Sequence, residues 1–261
     1  MKLKPYVQIS GQGSNLVLLH GWGMHGGIWE TILPQLEKCF TVYNVDLPGF
    51  GRSPVHNGEY NLDYLVNSVE HILPESCYLM GWSLGGLVAT ALAKQASTKV
   101  KKLVTVASSP CFVASDGWQH GMSREVLETF IALLSEDFEG TLIKFLSVQT
   151  MGSPTQKQDI EELKETVFLH GLPAKKALSG GLKILQDVNL LNTLSKLSIA
   201  VMRMYGKLDT LVPIKSVEKI SELAVNSQSF IFNKSGHAPF LSESDEFIER
   251  LVEFLQYDSN H

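Results

Sequence analysis

Gly81-Trp82-Ser83-Leu84-Gly85-Gly86 is the stretch that decides the fold. The apolar run Cys77-Tyr78-Leu79-Met80 precedes it and reads as a strand. Leu87-Val88-Ala89-Thr90-Ala91-Leu92-Ala93-Lys94 follows and reads as a helix. A serine at so sharp a strand-to-helix turn takes strained backbone angles, and its hydroxyl stands clear of the sheet edge. Gly81 and Gly85 suit the turn because strand and helix pass too close there for a Cβ. The helix start offers free N–H groups and a positive dipole end to a developing oxyanion. The bland alternative is a glycine-rich turn that only packs. The flanking strand and helix instead predict a nucleophilic Ser83.

A serine hydroxyl is a poor nucleophile at neutral pH, so a base must take its proton and a carboxylate must orient that base. After an elbow of this kind the partners follow in the order Ser, acid, His. The buried-strand pattern Ala200-Val201-Met202-Arg203-Met204-Tyr205-Gly206 breaks into Lys207-Leu208-Asp209-Thr210-Leu211-Val212-Pro213, which places Asp209 just past a strand end. Ser229-Phe230-Ile231-Phe232-Asn233 then leads into Lys234-Ser235-Gly236-His237-Ala238-Pro239-Phe240, which places His237 in the loop after the last strand. Ser83, Asp209 and His237 would thus leave one edge of a parallel sheet, where open α/β sheets carry their sites.

Two earlier loops complete the pattern. Leu16-Val17-Leu18-Leu19-His20-Gly21-Trp22-Gly23 ends a strand in His-Gly-x-Gly, so the Trp22 N–H can join that of Leu84 as an oxyanion donor. His20 reads as holding this loop. Asp46 precedes Ser83 in the chain and reads as a loop-stabilising carboxylate ahead of Leu47-Pro48-Gly49-Phe50-Gly51-Arg52-Ser53. His25, His56, His71, His120, His170 and His261 lack a strand-loop setting and read as surface or packing histidines.

With 261 residues, 44% apolar and 19% charged, the chain suits one globular α/β unit with ample core. A net charge of −5 gives no nucleic-acid signature. Cys39, Cys77 and Cys111 are odd in number and widely spaced, so neither a disulfide framework nor a metal motif follows. The start, Met1-Lys2-Leu3-Lys4-Pro5, has no apolar h-region, and no apolar run reaches membrane-spanning length. A cytoplasmic protein with no membrane segment is the expectation.

Strands are expected at 4–10, 16–20, 41–46, 76–82, 101–108, 200–206 and 227–233. Helices are expected at 28–37, 61–73, 84–96, 214–224 and 244–257. The alternation predicts a mostly parallel, doubly wound sheet. Residues 111–190 break the rhythm with helical patterns at 124–134, 138–149, 156–169 and 174–188. They are expected to form a helical cap inserted into a core made of 1–110 and 191–261. On the cap, Phe138, Leu142, Phe145, Leu146, Val148 and Met151 share a helical stripe, which packing on the cap's own core would equally explain. Phe145 and the polar Gln149 are the better candidates to face a ligand, with Trp22 as a pocket wall. Cap charge is acidic, with 7 Lys/Arg against 11 Asp/Glu.

Nearly the whole chain resembles the BioH family of pimeloyl-acyl-carrier protein methyl ester carboxylesterases of biotin synthesis, which have the α/β-hydrolase fold. The elbow, the His-Gly-Trp-Gly loop, Leu208–Pro213 and His237–Phe240 are shared with most α/β-hydrolases. Val104-Thr105-Val106-Ala107-Ser108-Ser109-Pro110-Cys111-Phe112, Gln149-Thr150-Met151-Gly152 and Gly180-Gly181-Leu182-Lys183-Ile184-Leu185 are narrower and point to the subfamily. The resemblance implies Ser83 as nucleophile, Asp209 as acid and His237 as base, with an oxyanion hole at Trp22 and Leu84. It implies substrate contacts at Trp22, Ser83, Leu84, Phe145, Leu146, Ser147, Val148, Gln149 and His237, and no metal or organic cofactor. It implies an acyl-carrier protein as partner, docked on basic cap residues, and a monomer. Here Lys144 and Lys157 keep that charge, while Gly140 and Glu161 stand where arginine is expected. Lysine also offers a point charge in place of a bidentate donor. The triad motifs do not name the ester. A broad short-acyl carboxylesterase and, from a different class, a non-catalytic ligand receptor on the same scaffold remain alternatives.

Overall fold

The computed structural model describes residues 4–149 and 156–257. In chain order these form β1 (Val7–Gly11), β2 (Ser14–Leu19), α1 (Leu33–Leu36), β3 (Phe40–Val45), α2 (Leu62–Glu70), β4 (Cys77–Trp82), α3 (Leu84–Gln95) and β5 (Val100–Val106). Then come α4 (Arg124–Glu136), α5 (Phe138–Gln149), α6 (Gln156–Phe168), α7 (Lys175–Asp187) and α8 (Leu191–Ser195). The chain closes with β6 (Ala200–Gly206), α9 (Ile214–Leu223), β7 (Ser227–Phe232), α10 (Pro239–Ser242) and α11 (Ser244–Gln256).

The sheet has seven strands in the order β1-β3-β2-β4-β5-β6-β7. Only β1 runs antiparallel, against β3; the other pairs are parallel. The central strands read as continuous apolar runs because helices cover both faces. Leu16–Leu19 on β2 and Leu79 and Met80 on β4 are fully buried, as are Val104 and Val106 on β5. β2, β4, β5, β6 and β7 are parallel, so their C-terminal ends share one edge, and every loop of the candidate site leaves from it.

The helix expected at 28–37 is broken. A 3-10 turn covers Gly26–Trp29, and only Leu33–Leu36 is α-helical. Pro34 explains the break: it lacks an N–H and its ring would clash with the carbonyl four residues back, so it is tolerated only in a helix's first turn. Between β5 and β6, which are neighbours in the sheet, the described chain is helical, from α4 to α8. Among the described residues no helix is long and apolar enough to cross a membrane.

Candidate active site

Ser83 stands between β4 and α3 with φ 54° and ψ −117°, a positive φ that an L-residue adopts only under constraint. The constraint is visible. A Cβ on Gly81 would lie 2.2 Å from the Gly85 carbonyl oxygen, and one on Gly85 would lie 2.4 Å from that of Leu19. The Ser83 N–H donates to the Val106 carbonyl at 2.9 Å. The Ser108 hydroxyl donates to the Ser83 carbonyl at 2.8 Å. The elbow is therefore tied on both sides to the neighbouring strand and the loop after it.

The three predicted side chains meet. His237 Nε2 lies 2.9 Å from Ser83 Oγ, and His237 Nδ1 lies 2.8 Å from Asp209 Oδ2. A carboxylate only accepts, so Nδ1 carries the proton and Nε2 is free to accept from the serine. Asp209 Oδ1 accepts from the N–H groups of Leu211 (2.8 Å) and Val212 (3.0 Å), which fixes the carboxylate plane. Ser83 is 3% exposed and His237 1%. Such a chain can move a proton from Ser83 to His237 while the buried carboxylate steadies the imidazolium.

Leu84 follows Ser83 directly, and the Trp22 loop approaches the serine at Gly21, where an added Cβ would lie 3.1 Å from Ser83 Cβ. Leu84 is the first residue of α3, where amides have no partner within the helix. Among the described residues no hydrogen bond occupies the backbone N–H of Leu84 or Trp22. His20 pins the Trp22 loop from below: its Nε2 accepts from Leu47 N–H at 2.8 Å and its Nδ1 donates to the Gly21 carbonyl at 2.8 Å. Complete burial lowers its pKa to about 4. Asp46 accepts from the Gly26 and Arg52 amides and from the Arg52 guanidinium. Burial pushes its carboxyl up, but these donors outweigh burial and hold it below the usual carboxylate range. Both residues thus brace loops, as their sequence settings predict.

The α5–α7 helices cover this edge. The Trp22 indole N–H donates to the Leu178 carbonyl of α7 at 2.8 Å, and its ring meets Phe145 of α5 edge-on at 4.7 Å. Phe145 in turn meets Phe130 of α4 at 5.3 Å. Leu142 is fully buried, and its Cδ1 comes within 2.8 Å of where a Gly23 Cβ would sit. Ser147 is half-buried and bonds the Ile143 carbonyl of its own helix. Leu146, Val148 and Gln149 lie on α5, but their side chains, like that of Phe138, lie outside the described residues, as do Thr150–Gly152 and His261. Lys144 and Lys157 are exposed, as is Glu161. His25 is buried and reaches α6. It accepts from Gly27 N–H and donates from Nε2 to the Thr166 carbonyl of α6 at 2.5 Å. Burial lowers its pKa.

Residues that the sequence did not single out also build the site. The Trp82 indole N–H donates to the His237 carbonyl at 2.7 Å. Leu208 N–H donates to the Ser235 carbonyl at 2.9 Å. Glu243 Oε2 accepts from the Lys234 amide (2.9 Å) and the Ser235 hydroxyl (2.5 Å). The signal for Ser108 and Glu243 was limited to polar residues beside strand-end loops, which does not name a partner.

The sequence profile of the alpha/beta hydrolase fold matches residues 15–244. A protein of Aliivibrio fischeri named pimeloyl-acyl-carrier protein methyl ester esterase is 45% identical over 250 residues, covering 96% of each chain. Proteins of the same name from Aeromonas hydrophila (45%, 95% of this chain and 98% of that one) and Vibrio cholerae (42%, 97% and 99%) are similarly close. An esterase structure from Exiguobacterium antarcticum superposes with a TM-score of 0.86 at 25% identity, over 98% of this chain and 96% of that one. A Bacillus anthracis bromoperoxidase structure superposes with a TM-score of 0.89 at 21% identity, over the same shares, and shows the fold alone. The elbow, the strand order and near-full-length identity above 40% agree: this chain belongs to the α/β-hydrolase family, within the group of relatives named pimeloyl-acyl-carrier protein methyl ester esterase.

Proposed function

We propose that this protein is a serine carboxylesterase that hydrolyses the methyl ester of a pimeloyl-acyl-carrier protein, releasing pimeloyl carrier and methanol for biotin synthesis. The observation that carries the chemistry is the buried chain Ser83 Oγ–His237–Asp209 with contacts of 2.9 and 2.8 Å. The substrate rests on the names of relatives at 45% identity across 96% of the chain.

In this reading Ser83 Oγ attacks the ester carbonyl carbon as His237 Nε2 takes its proton. The carbonyl oxygen becomes an oxyanion held by the N–H groups of Trp22 and Leu84, each contributing roughly 2.7–4 kcal/mol. His237 returns the proton to the departing methoxide, the C–O bond breaks, and methanol leaves an acyl-Ser83 ester. His237 then deprotonates a water that attacks this ester, and the carboxylate leaves as Ser83 regains its proton. Asp209 keeps Nδ1 protonated and aimed throughout. The steps use protein groups and water alone, and one chain supplies them all, so a monomer suffices.

Residues 111–190 act as a helical cap on the core formed by 1–110 and 191–261. Trp22, Phe145, Leu146, Ser147, Val148 and Gln149 line the acyl path beside Ser83, Leu84 and His237. Lys144 and Lys157 meet the acidic carrier, and the cytoplasm is the compartment. The excess of acidic over basic residues on 111–190 favours a second reading, a short-acyl esterase indifferent to the carrier. One experiment tests the chemistry and separates the two substrates. Turnover of carrier-bound methyl pimeloyl and of free methyl pimelate is measured for wild type and Ser83→Ala. The proposal expects carrier-bound ester to be preferred and Ser83→Ala to abolish both activities while melting like wild type. Equal rates on the two esters would favour the short-acyl enzyme, and substantial residual turnover by a clean Ser83→Ala preparation would sink the serine mechanism.

A further inference from the structure

The three loops at the sheet edge come from distant parts of the chain, and the His237 loop touches both of the others by hydrogen bonds one residue away from the triad. Before His237, the Ser235 carbonyl accepts from Leu208 N–H, the amide next to Asp209. At His237 itself, the carbonyl accepts at 2.7 Å from the indole of Trp82, the residue next to Ser83. This last bond is buried and joins residues 155 apart in the chain. It fixes the peptide plane that follows His237, and with it the direction in which the imidazole leaves the backbone.

We propose that Trp82 is a positioning residue: its indole N–H, donated to the His237 carbonyl, holds the general base in register with Ser83. The role rests on the Ser83–His237–Asp209 reading above and adds to it a fourth residue that touches no reacting atom. Packing alone does not account for it. Trp82 belongs to an aromatic cluster with Trp29, at 6.3 Å, and Phe240, at 5.2 Å between ring centroids. Trp29 lies 4.7 Å from the same Phe240. Both tryptophans are fully buried. The Trp29 indole N–H, however, has no hydrogen-bond partner among the described residues, while that of Trp82 lies 2.7 Å from the His237 carbonyl. The two side chains therefore share Phe240 as a neighbour, and Trp82 alone both meets the His237 ring, at 5.8 Å between centroids, and carries the tether. A buried donor is placed at the cost of its desolvation, so one with a partner on the catalytic loop does more than fill space.

That difference supplies the control. Trp82→Phe and Trp29→Phe remove the same bulk, and only the first removes the bond. Because it also trims the ring beside His237, benzothienylalanine at position 82, which keeps the ring and lacks the donor, isolates the bond and should show the same loss. Hydrolysis of p-nitrophenyl acetate, a small ester, reads the triad. The low-field proton NMR signal of the His237 Nδ1–H shared with Asp209 reads the geometry directly. Expected for Trp82→Phe is a kcat lower by about 10-fold or more with KM within about twofold, because displacing a reacting group by 1 Å can cost about 100-fold. The low-field signal should broaden or vanish. Trp29→Phe should keep kcat within about threefold and retain the signal. Equal losses in the two variants, or an unchanged kcat and signal in Trp82→Phe, would overturn the tether. Wild-type kcat and low-field signal with benzothienylalanine at position 82 would overturn the tether in favour of ring packing on His237, and the same variant decides if Trp82→Phe does not fold. Ser83→Ala separates this proposal from the reading beneath it. If that variant keeps turnover, the triad reading itself fails. If it is inert while the two Trp→Phe variants match, only the tether falls.

Discussion

At the sheet edge, Ser83, Asp209 and His237 are each held by hydrogen bonds to named partners: Val106 and Ser108 for the serine, Leu211 and Val212 for the aspartate, Trp82 for the histidine. Across α4–α7 the contacts are of another kind. Leu142, Phe145, Leu163, Val167, Leu178 and Leu182 are buried among apolar neighbours. The bonds that join this layer to the core include Trp22 to Leu178, His25 to Thr166 and the Ala174 N–H to the Gly49 carbonyl. Hydrogen bonds are directional and hold atoms to a few tenths of an ångström, which proton transfer between Ser83 and His237 demands. Apolar packing is less directional and tolerates substitutions that conserve volume. In the proposed function the loops carry reactivity and the helices choose the acyl group, and that division can be broken from either side.

The largest effect is expected on the loop side. Asp209→Asn preserves shape but leaves a side chain that can donate toward Nδ1, so the imidazole is held in the wrong tautomer. A kcat loss on the order of 10,000-fold is expected with little change in melting temperature, since changes of this kind in other triads cost that much. A loss below about 10-fold would mean that another group orients His237.

Next in size is a stability effect beneath the oxyanion loop. His20 takes up a proton near pH 4 when folded and near 6.5 when unfolded. Between those values the unfolded chain binds more protons, so this contribution is fully present above pH 6.5 and is lost as pH falls toward 4. At 1.36 kcal/mol per unit the total is about 3 kcal/mol. Urea unfolding of wild type and His20→Gln from pH 7 to pH 4.5 should show the wild type losing stability more steeply. Parallel curves would show that His20 is not buried neutral and would weaken the picture of a rigid loop.

The smallest effect belongs to α5. Phe145→Ala should lower kcat/KM for methyl pimelate about 10- to 100-fold, mostly through KM, the scale at which apolar pockets discriminate, and should change p-nitrophenyl acetate turnover by less than about threefold. Similar losses on both esters would show that α5 also aligns the triad, and the division between the two regions would collapse.

Much of the loop side is legible along the chain. Each motif there is a covalent neighbourhood: a strand pattern, a turn residue and the reactive side chain lie within ten positions, as in Ala200 to Asp209 or Ser229 to His237. Chain order alone preferred Asp209 over Asp46, and the structure places Asp46 against Arg52 and Gly26. The helix expected at 28–37 shows where pattern reading fails: apolar periodicity outweighed Pro34, which has no N–H to give to the Glu30 carbonyl and so stands in the first turn of a new helix, Leu33–Leu36, after the 3-10 turn. On the cap, the stripe through Leu142 and Phe145 predicted one face of a helix. Periodicity cannot say what that face meets, and only the structure shows Phe145 edge-on to Trp22.

By itself the sequence determined the elbow, the parallel sheet, the three side chains of the candidate triad and the family. The family came from the resemblance of its motifs; the rest follow from short stretches of chain, where backbone sterics and periodicity act directly. Only the tertiary structure decided that Trp82 reaches the His237 carbonyl, that Ser108 holds the Ser83 carbonyl and that Trp22 reaches Leu178 on α7. Those contacts join residues from 25 to 156 positions apart. Their geometry depends on how whole strands and helices pack, and no local pattern carries that information.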